Sequence, residues 1–421
     1  MKLLIPYGNI THAFEIRVGS CIKIVKPILL KELQDFKHKF LASLQNPIGT
    51  EPLNSSISPN SKIVILLDDI TRPGPKKSAT KVLINYLLKN RVKKENIKII
   101  FATGLHRKHT KEEWIQMLGE DILNNFKVLD HDADDQSKLL FIGETKYGTP
   151  VEVNKDIIDA DVTIGISYLG IHDFAGYTGG AKIILPGVSS RRTINVNHVL
   201  SLDSRSQPGV ADGNPAREDM EDAAKLAEYD FSINIPLNYK NLPVGVFSGD
   251  FIKAHREGIR LVDKMYKISV QKKVDVVIAS AGGFPYDINL YQVERVLRYV
   301  SRILIDGGTL VLFAECRDGI GNTDLKEVLV REKDVDSLEA KLRREYSIGK
   351  WVGWDLLVNL RRFNLIVFTE NKEVAIVLRH KDVVVTCKCD EILNILKKTY
   401  GQDFEYVFIP YGSITLPILS K

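Results

Sequence analysis

The stretch IVILLDDITRP at residues 63–73 joins five apolar residues to the polar cluster DDITR. Two later stretches follow the same plan, IKIIFATGLHR at 97–107 and VTIGISYLGIHD at 162–173. A short apolar run bounded by turn-forming residues is typical of a strand that is buried in a sheet. The three stretches therefore predict three buried strands, each of which ends in a polar loop.

Segments with helical periodicity alternate with such apolar runs through most of the chain, which indicates βαβ units and a parallel sheet. The predicted strands are Ile63–Leu67, Ile97–Ala102, Val162–Ile166, Val244–Phe247, Val274–Ala279, Thr309–Ala314, Leu365–Thr369 and Val383–Thr386. The predicted helices are Ser78–Lys89, Lys111–Leu118, Ser190–Leu200, Arg217–Ala227, Phe251–Met265 and Leu290–Ser301. We expect an α/β fold.

The length of 421 residues favours two domains, because single cores stop growing at roughly 250–300 residues. We place the boundary at the polar stretch 269–273, so that an N-terminal domain covers 1–268 and a C-terminal domain covers 273–399. Each domain is expected to hold a mainly parallel sheet flanked by helices. The sequence IPYG at 5–8 returns at 409–412, which predicts that 400–421 completes the first domain.

Composition excludes several classes of protein. The net charge of +5 is spread along the chain, whereas a nucleic-acid surface needs a basic face. Four cysteines, Cys21, Cys316, Cys387 and Cys389, are too few for a disulfide framework in a chain of this length. The first residues lack the pattern of a secretory signal, and the sequence has no run of 18 apolar residues. We expect a cytoplasmic protein that binds neither nucleic acid nor membrane.

Polar residues follow each of the strands predicted at Ile63–Leu67, Ile97–Ala102 and Val162–Ile166. Asp68, Asp69 and Arg72 follow the first strand, His106 follows the second and His172 follows the third. Ligands of parallel α/β sheets bind beyond the carboxyl ends of the strands, at one edge of the sheet. We therefore expect these side chains to converge on a binding site. Taken singly, each is also compatible with a turn or a buried structural role.

The glycine-rich sequence GYTGGAK at 176–182 places Lys182 after backbone that can approach a ligand closely. Such a lysine contacts a phosphate, forms a covalent bond, or simply lies on the surface. His198, on the helix predicted over 190–200, is either a half-buried helix residue or a metal ligand whose partners come from a cofactor.

In the second domain Tyr291, Gln292 and Arg295 share a helix. They are suited to bind a carboxylate, or they form an exposed face of that helix. Asp287 is the candidate N-cap of that helix.

Several of these motifs together resemble the lactate racemases that carry a nickel-pincer nucleotide, and the related 2-hydroxyacid racemases and epimerases. The resemblance covers nearly the whole chain. The motifs that carry it are DDITRP at 68–73, ATGLHR at 102–107, the stretch from Ser167 to His198 with GGAK at 179–182, GG at 282–283 with NLYQ at 289–292, and ECRDG at 315–319.

The resemblance implies that 1–268 is a catalytic domain that binds nucleotide and nickel, that 273–399 clamps the substrate, and that the active site lies in the interdomain cleft. It also implies a role for each matching residue. Lys182 matches the lysine that binds the cofactor through a thioamide, and His198 matches the protein ligand to nickel. His106 and His172 match the paired acid/base histidines. The residues that match the nucleotide-holding segment are Asp69, Ile70, Thr71 and Arg72, and Gln292 matches a substrate-binding glutamine.

The implied cofactor is nickel bound by pyridinium-3,5-bisthiocarboxylic acid mononucleotide, the nickel-pincer nucleotide. One histidine would take the hydroxyl proton of a 2-hydroxy acid while hydride passes to the cofactor. Return of hydride to the other face of the keto acid would invert C2, with the second histidine acting on the other enantiomer. Histidine suits this work because its pKa lies near neutrality. Proteins that synthesise the cofactor are implied partners.

Two positions concern the substrate. Arg295 stands where the lactate enzymes have a lysine, and the two residues are not interchangeable at a carboxylate site, which argues against lactate itself. A tryptophan that covers the site in the family corresponds to Trp351 or Trp354, and we favour Trp351.

Two other functions stay open: a zinc-type hydrolase that uses His106, His109, His172 and His198, and a non-catalytic relative that binds a nucleotide.

Overall fold

The structure is a computed structural model that describes residues 1–332 and 334–420. The chain forms two compact units. The central unit consists of Leu29–Met265, and the terminal unit joins Met1–Ile28 to the chain from Tyr266 onward.

Strands and helices alternate as the sequence patterns predict. The strands are β1 Lys2–Tyr7, β2 Ile10–Glu15, β3 Ser20–Ile24, β4 Ile63–Asp68, β5 Ile97–Ala102, β6 Lys127–Asp130, β7 Leu139–Glu144, β8 Pro150–Asn154, β9 Val162–Leu169, β10 Ile171–His172, β11 Gly176–Tyr177, β12 Phe231–Pro236, β13 Phe247–Gly249, β14 Lys267–Val270, β15 Val274–Ser280, β16 Leu304–Phe313, β17 Asn364–Phe368, β18 Val384–Thr386, β19 Glu405–Ile409 and β20 Leu416–Leu419. The helices are α1 Phe36–Gln45, α2 Lys76–Lys89, α3 Lys111–Leu118, α4 Glu120–Asn125, α5 Lys155–Ile158, α6 Arg191–Val199, α7 Pro215–Leu226, α8 Lys253–Tyr266, α9 Leu290–Val293, α10 Arg295–Val300, α11 Thr323–Arg331, α12 Val335–Arg344, α13 Ile348–Leu360, α14 Lys372–Arg379 and α15 Cys389–Tyr400.

The central unit contains a six-stranded sheet in the order β13-β12-β9-β4-β5-β6. All neighbouring strands run parallel except β12 and β13. The side chains of β4 and β5 form the middle of an apolar core that α1, α2 and α3 cover. The predicted mainly parallel α/β sheet is confirmed.

Local sequence signals explain where the helices near the site begin. Thr110 and Glu113 form the predicted capping box of α3, in which each side chain binds the backbone N–H of the other residue. Ser190 caps α6 by accepting the N–H of Thr193 at 3.1 Å. These caps stabilise the first turns, so the loops before α3 and α6 end at defined points.

The terminal unit contains a second six-stranded sheet, in the order β18-β17-β16-β15-β19-β3, and all of its neighbouring strands run parallel. The first and last parts of the chain meet here, since β3 pairs with β19, and β14 pairs with β20. The structure therefore differs from the predicted domain limits. Residues 1–28 and 400–420 belong with 273–399, because backbone pairing of β19 with both β3 and β15 places them in one sheet.

Two element predictions are wrong. The predicted strand Val244–Phe247 forms no strand before Phe247, and β12 at Phe231–Pro236 takes the place beside β9. The helix predicted over Leu290–Ser301 is interrupted between α9 and α10. Its N-cap is Asn289, while Asp287 accepts the backbone N–H groups of Gly8 and Glu315.

Within residues 1–332 and 334–420, no helix is both long enough and apolar enough to span a membrane.

Candidate active site

The three strands that precede the predicted site are neighbours in the sheet of the central unit, in the order β9-β4-β5. They run parallel, with Leu67 opposite both Ile166 and Phe101. Their carboxyl ends therefore point to the same edge of the sheet, as the sequence predicted.

His106 and Asp69 form a hydrogen-bonded pair at this edge. The ring Nδ1 of His106 donates to Asp69 Oδ2, and the other oxygen of Asp69 accepts the backbone N–H and hydroxyl of Thr71 at 2.9 and 2.6 Å. Burial alone would raise the pKa of Asp69, but the hydrogen bonds from His106 and Thr71 outweigh it and lower the pKa to about 2. A proton on Nδ1 leaves the lone pair of a neutral His106 on Nε2, and half of the side chain is exposed.

His109, a ligand in the hydrolase alternative, has a structural role. Its Nδ1 donates to Asp130 Oδ1 at 2.7 Å, and its Nε2 accepts the backbone N–H of Ile70 at 3.0 Å. The side chain is 1% exposed. Both ring nitrogens are occupied, so His109 supports the segment next to Asp69 and has no lone pair for a metal.

Phe174 brings three predicted site residues together. Its ring centroid lies 4.9 Å from that of His172 and 5.0 Å from that of His198. The Nζ atom of Lys182 lies 6.0 Å from the same centroid. The two histidines and the lysine, which come from a hairpin, a helix and a glycine-rich turn, therefore surround one buried aromatic ring.

His172 lies in the short hairpin of β10 and β11, where its Nδ1 accepts the backbone N–H of Ala175 at 3.3 Å. The proton of a neutral His172 is then on Nε2. Burial, followed by the positive charges of Lys182 and Arg72, lowers the pKa of His172 well below its usual range. His172 and His106 thus present opposite tautomers.

Lys182 lies in a 3₁₀ turn, Gly180–Ile183, directly after the glycines. Gly179 and Gly180 have φ values of 74° and 57°, in the region that glycine adopts at little cost. Burial and then the charges of Arg72 and Arg217 lower the pKa of Lys182 well below its usual range. This environment favours the uncharged amine, which is the nucleophilic form.

His198 is oriented by a chain of buried polar groups. The Asn197 amide donates to Asp219 Oδ2 at 2.8 Å and to the carbonyl of Ala216 at 3.1 Å, so its oxygen faces His198 Nδ1, 3.1 Å away. That nitrogen must be the donor, which leaves the lone pair of a neutral ring on Nε2. Burial, then Lys182, lowers the pKa of His198 to about 3. A neutral imidazole oriented in this way suits a metal ligand.

The predicted substrate residues lie in the terminal unit. Arg295 Nη2 donates to Gln292 Oε1 at 3.3 Å, and Tyr291, Gln292 and Arg295 are all half-buried. Trp351 is 2% exposed, and the guanidinium of Arg298 lies 4.0 Å from its ring centroid. Arg298 is in turn paired with Asp355 at 2.7 Å. Trp351 is therefore packed within the terminal unit, and its role as a cover over the site stays a prediction.

Several residues that shape the site escaped the sequence analysis. They are Phe174, Asn197, Arg217, Asp219 and His255. Asn197 carried a signal, since it precedes His198 on the same helix. The burial of Arg217, Asp219 and His255, each 0% exposed, depends on packing between helices that are distant in sequence.

The four histidines of the hydrolase alternative do not form a metal site in this fold. Across 1–332 and 334–420, no group of three or more histidine, cysteine or acidic side chains is arranged to hold a metal ion. The site instead combines two histidines with opposite tautomers, a lysine in an environment that favours the neutral amine, and one oriented imidazole. This combination is that of an enzyme site whose groups are able to transfer protons and, through the amine, to act as a nucleophile.

Comparison with known proteins agrees with this class. Residues 7–209 match the lactate racemase N-terminal domain, and residues 269–416 match the lactate racemase C-terminal domain. The chain is 31% identical to the lactate racemase of Thermoanaerobacterium thermosaccharolyticum, over 97% of both proteins. It is 34% identical to the lactate racemase of Lactiplantibacillus plantarum over 66% of each. The chain belongs to the lactate racemase family and is an isomerase of the racemase type.

The solved structures agree with the fold. The lactate racemase apoprotein of T. thermosaccharolyticum superposes with a TM-score of 0.90 at 28% identity, with complete coverage of both chains. A Thermotoga maritima protein superposes with a TM-score of 0.66 at 19% identity, covering 93% of this chain and all of its own. The second likeness shows the fold alone.

Proposed function

We propose that this racemase inverts C2 of a 2-hydroxy acid with a nickel-pincer nucleotide bound covalently to Lys182. The observation that carries the proposal is the cluster around Phe174, where Lys182, His172 and His198 meet in a chain of the lactate racemase family. The substrate is a small 2-hydroxy acid, and loading of the cofactor requires separate synthesis proteins.

The residues present fit this cofactor. An amine whose environment favours the uncharged form is what a thioamide bond requires, and Lys182 has that environment. His198 offers the single protein nitrogen that nickel needs if the cofactor supplies a carbon and two sulfur ligands. Soft sulfur donors suit a tetragonal Ni(II) ion. A lone histidine ligand, which is a poor metal site by itself, is thus explained.

The nucleotide part fits the segment from Asp69 to Arg72. A cavity of about 580 Å³ opens beside it. Four basic side chains and no acidic one line this cavity, Arg72, Lys76, Lys77 and Lys81. Positive charges of this density attract a phosphate. We propose that Ile70, Thr71 and Arg72 hold the nucleotide, while Asp69 orients His106.

The two histidines divide the proton transfers. His106 accepts the substrate hydroxyl proton on Nε2, and Asp69 stabilises the resulting imidazolium. His172, on the hairpin, is proposed for the corresponding transfer with the other enantiomer. To accept a proton on Nε2, its ring must carry its own proton on Nδ1 and give up the 3.3 Å bond from the backbone N–H of Ala175. When bound, the cofactor supplies the acceptor for the C2 hydrogen, which therefore need not leave as a proton. In the terminal unit we propose that Arg295, with Gln292 and Tyr291, binds the substrate carboxylate.

The test is intact-protein mass spectrometry with metal analysis after co-expression with a cofactor-synthesis system. We expect a covalent adduct that maps to Lys182 and one nickel ion per chain. Lys182→Ala should carry no adduct and no racemase activity, while Lys264→Ala, at an exposed position on α8, should be loaded normally. An unmodified wild-type mass beside a loaded control racemase would overturn the proposal. Stoichiometric zinc in place of nickel would favour the hydrolase alternative.

A further inference from the structure

The glycine-rich segment Ala175–Lys182 is held by side chains from other elements. Arg217, on α7, donates to three of its backbone carbonyls: Nε to Ala175 at 3.0 Å, Nη1 to Gly179 at 3.1 Å, and Nη2 to Tyr177. His255, on α8, donates from Nε2 to the carbonyl of Thr178 at 2.9 Å. The backbone immediately before Lys182 is therefore clamped from two helices.

The charge of Arg217 makes this clamp unusual. Arg217 is 0% exposed, and the ion pairs of the described residues do not include it, although the charge of Glu221 opposes part of the fall that burial causes in the pKa of Arg217. Taking a cation out of water without a direct contact to a carboxylate is unfavourable. Packing alone would be served by an apolar residue. The arginine fork uses its fixed N–H donors to bind three carbonyls at once, which a shorter or unbranched donor does not do.

His255 is kept in the tautomer that the clamp needs. Its Nδ1 accepts from Arg256 Nη1 at 3.0 Å, so the ring proton lies on Nε2, opposite the carbonyl of Thr178. Arg256 is itself paired with Glu221 at 2.8 Å and with Asp212 at 2.8 Å. Burial, then Arg217 and Arg256, lowers the pKa of His255 well below its usual range. The donor to Thr178 is therefore a neutral imidazole with a fixed orientation.

We propose that Arg217, assisted by His255, is a positioning residue that immobilises the glycine-rich segment and so fixes the Lys182 amine for its covalent bond. The inference rests on the proposed role of Lys182. A segment with consecutive glycines is otherwise flexible, because glycine loses more conformational freedom on ordering than any other residue. Three carbonyl bonds from one rigid group remove that freedom at the point where the amine must be placed.

Electrostatics supports the same role. The positive charge of Arg217 is one of the causes, after burial and Arg72, that lower the pKa of Lys182. Because like charges disfavour each other, Arg217 both holds the segment and favours the neutral amine. Lysine at position 217 would keep the charge and lose the fork, whereas methionine would lose both. These two substitutions separate the mechanical effect from the electrostatic one.

The experiment uses the full-length protein without cofactor, so that it does not depend on loading. Arg217→Lys, Arg217→Met and His255→Gln are compared with wild type, and Arg260→Met on α8, where the arginine is 77% exposed, is the matched control. Hydrogen exchange is measured on peptides that cover 175–182 and on peptides of β4. Acylation of Lys182 by acetic anhydride is followed against pH by peptide mass spectrometry, with Lys264 as internal reference.

We expect Arg217→Met to speed exchange of 175–182 by about 10-fold while β4 stays protected, since local opening free energies respond to local bonds. The pH midpoint of Lys182 acylation should rise by about one unit on loss of a neighbouring positive charge. Arg217→Lys should keep the midpoint and still speed exchange. His255→Gln should speed exchange less, because it affects one carbonyl.

Unchanged exchange of 175–182 and an unchanged Lys182 profile in Arg217→Met would overturn the proposal. A uniform rise across all peptides of the central unit would also overturn it, because the residue would then act on global stability alone. If Arg217→Met does not fold, Arg217→Lys and His255→Gln carry the same test. Absence of an adduct on wild-type Lys182 counts against the proposed function and leaves these measurements valid.

Discussion

The two sheet edges of this molecule hold their polar residues in different ways. At the edge in the central unit, His106 and His198 are each oriented through Nδ1 by a neighbouring oxygen, from Asp69 and Asn197. In the terminal unit the proposed substrate residues Gln292 and Arg295 bind each other at 3.3 Å from two short consecutive helices. The first arrangement determines which nitrogen carries a proton. The second arrangement leaves the charged guanidinium of Arg295 half-buried.

This difference suits two tasks. Proton transfer and metal binding need one tautomer and one orientation, because a misplaced lone pair is inactive. Recognition of a carboxylate needs a guanidinium group, and the residues around that group determine which substrates bind. We therefore expect substitutions in the central unit to abolish chemistry and substitutions in the terminal unit to change substrate preference.

His106→Gln and His172→Gln should each lower kcat of the loaded enzyme by at least ~10²-fold, the usual loss for a general acid or base. Both variants should still carry the Lys182 adduct, because neither side chain is proposed to form it. Racemisation is followed by chiral chromatography of the 2-hydroxy acid. His38→Gln, at an exposed position on α1, is the control. Activity near that of wild type in either site variant would remove that histidine from the mechanism.

Asn197→Leu should weaken nickel retention by about 10–100-fold, the usual cost of losing a group that orients a metal-binding histidine. Leucine offers no oxygen to His198 Nδ1, so the preference of the ring for the Nδ1–H tautomer weakens. Nickel content after dialysis against a chelator gives the first readout. Nitrogen-15 NMR of His198 without cofactor gives the second, and Asn125→Leu on α4, where Asn125 is exposed, is the control. Retention of the Nδ1–H tautomer together with normal nickel content would contradict the orienting role.

Arg295→Lys should change the ratio of kcat/KM between two 2-hydroxy acids by about 10-fold, or about 1.4 kcal/mol, with little change in Tm. The reason is geometric, because a guanidinium binds a carboxylate through two parallel bonds and an ammonium acts as a point charge. Arg331→Lys, at the exposed end of α11, is the control for an arginine-to-lysine substitution that keeps the charge. If the ratio stays the same, Arg295 does not contact the substrate.

Particular residues show which features of the structure local sequence patterns predict and which they do not. Strands β4, β5 and β9, the capping box of α3 and the position of His106 follow from local pattern, since apolar runs and caps act between neighbouring residues. Strand β12 was missed because Ser232 and Asn234 interrupt the apolar run that predicts a buried strand, although every residue of β12 is buried. Asn234 is buried because its side chain accepts the N–H of Gly180, 54 positions away in the chain. No local pattern records such a bond.

Sequence patterns alone predict the α/β class, the three strands that end at one edge, and the residue types that gather there. Those features depend on periodicity and on short-range order along the chain. The folded structure was needed to show that both chain ends join one sheet, that His106 and His172 hold opposite tautomers, and that Arg217 clamps the segment before Lys182. The bond from Ala175 to His172 is local, but the other bonds and the strand pairing join residues distant in sequence, whose partners are set by packing.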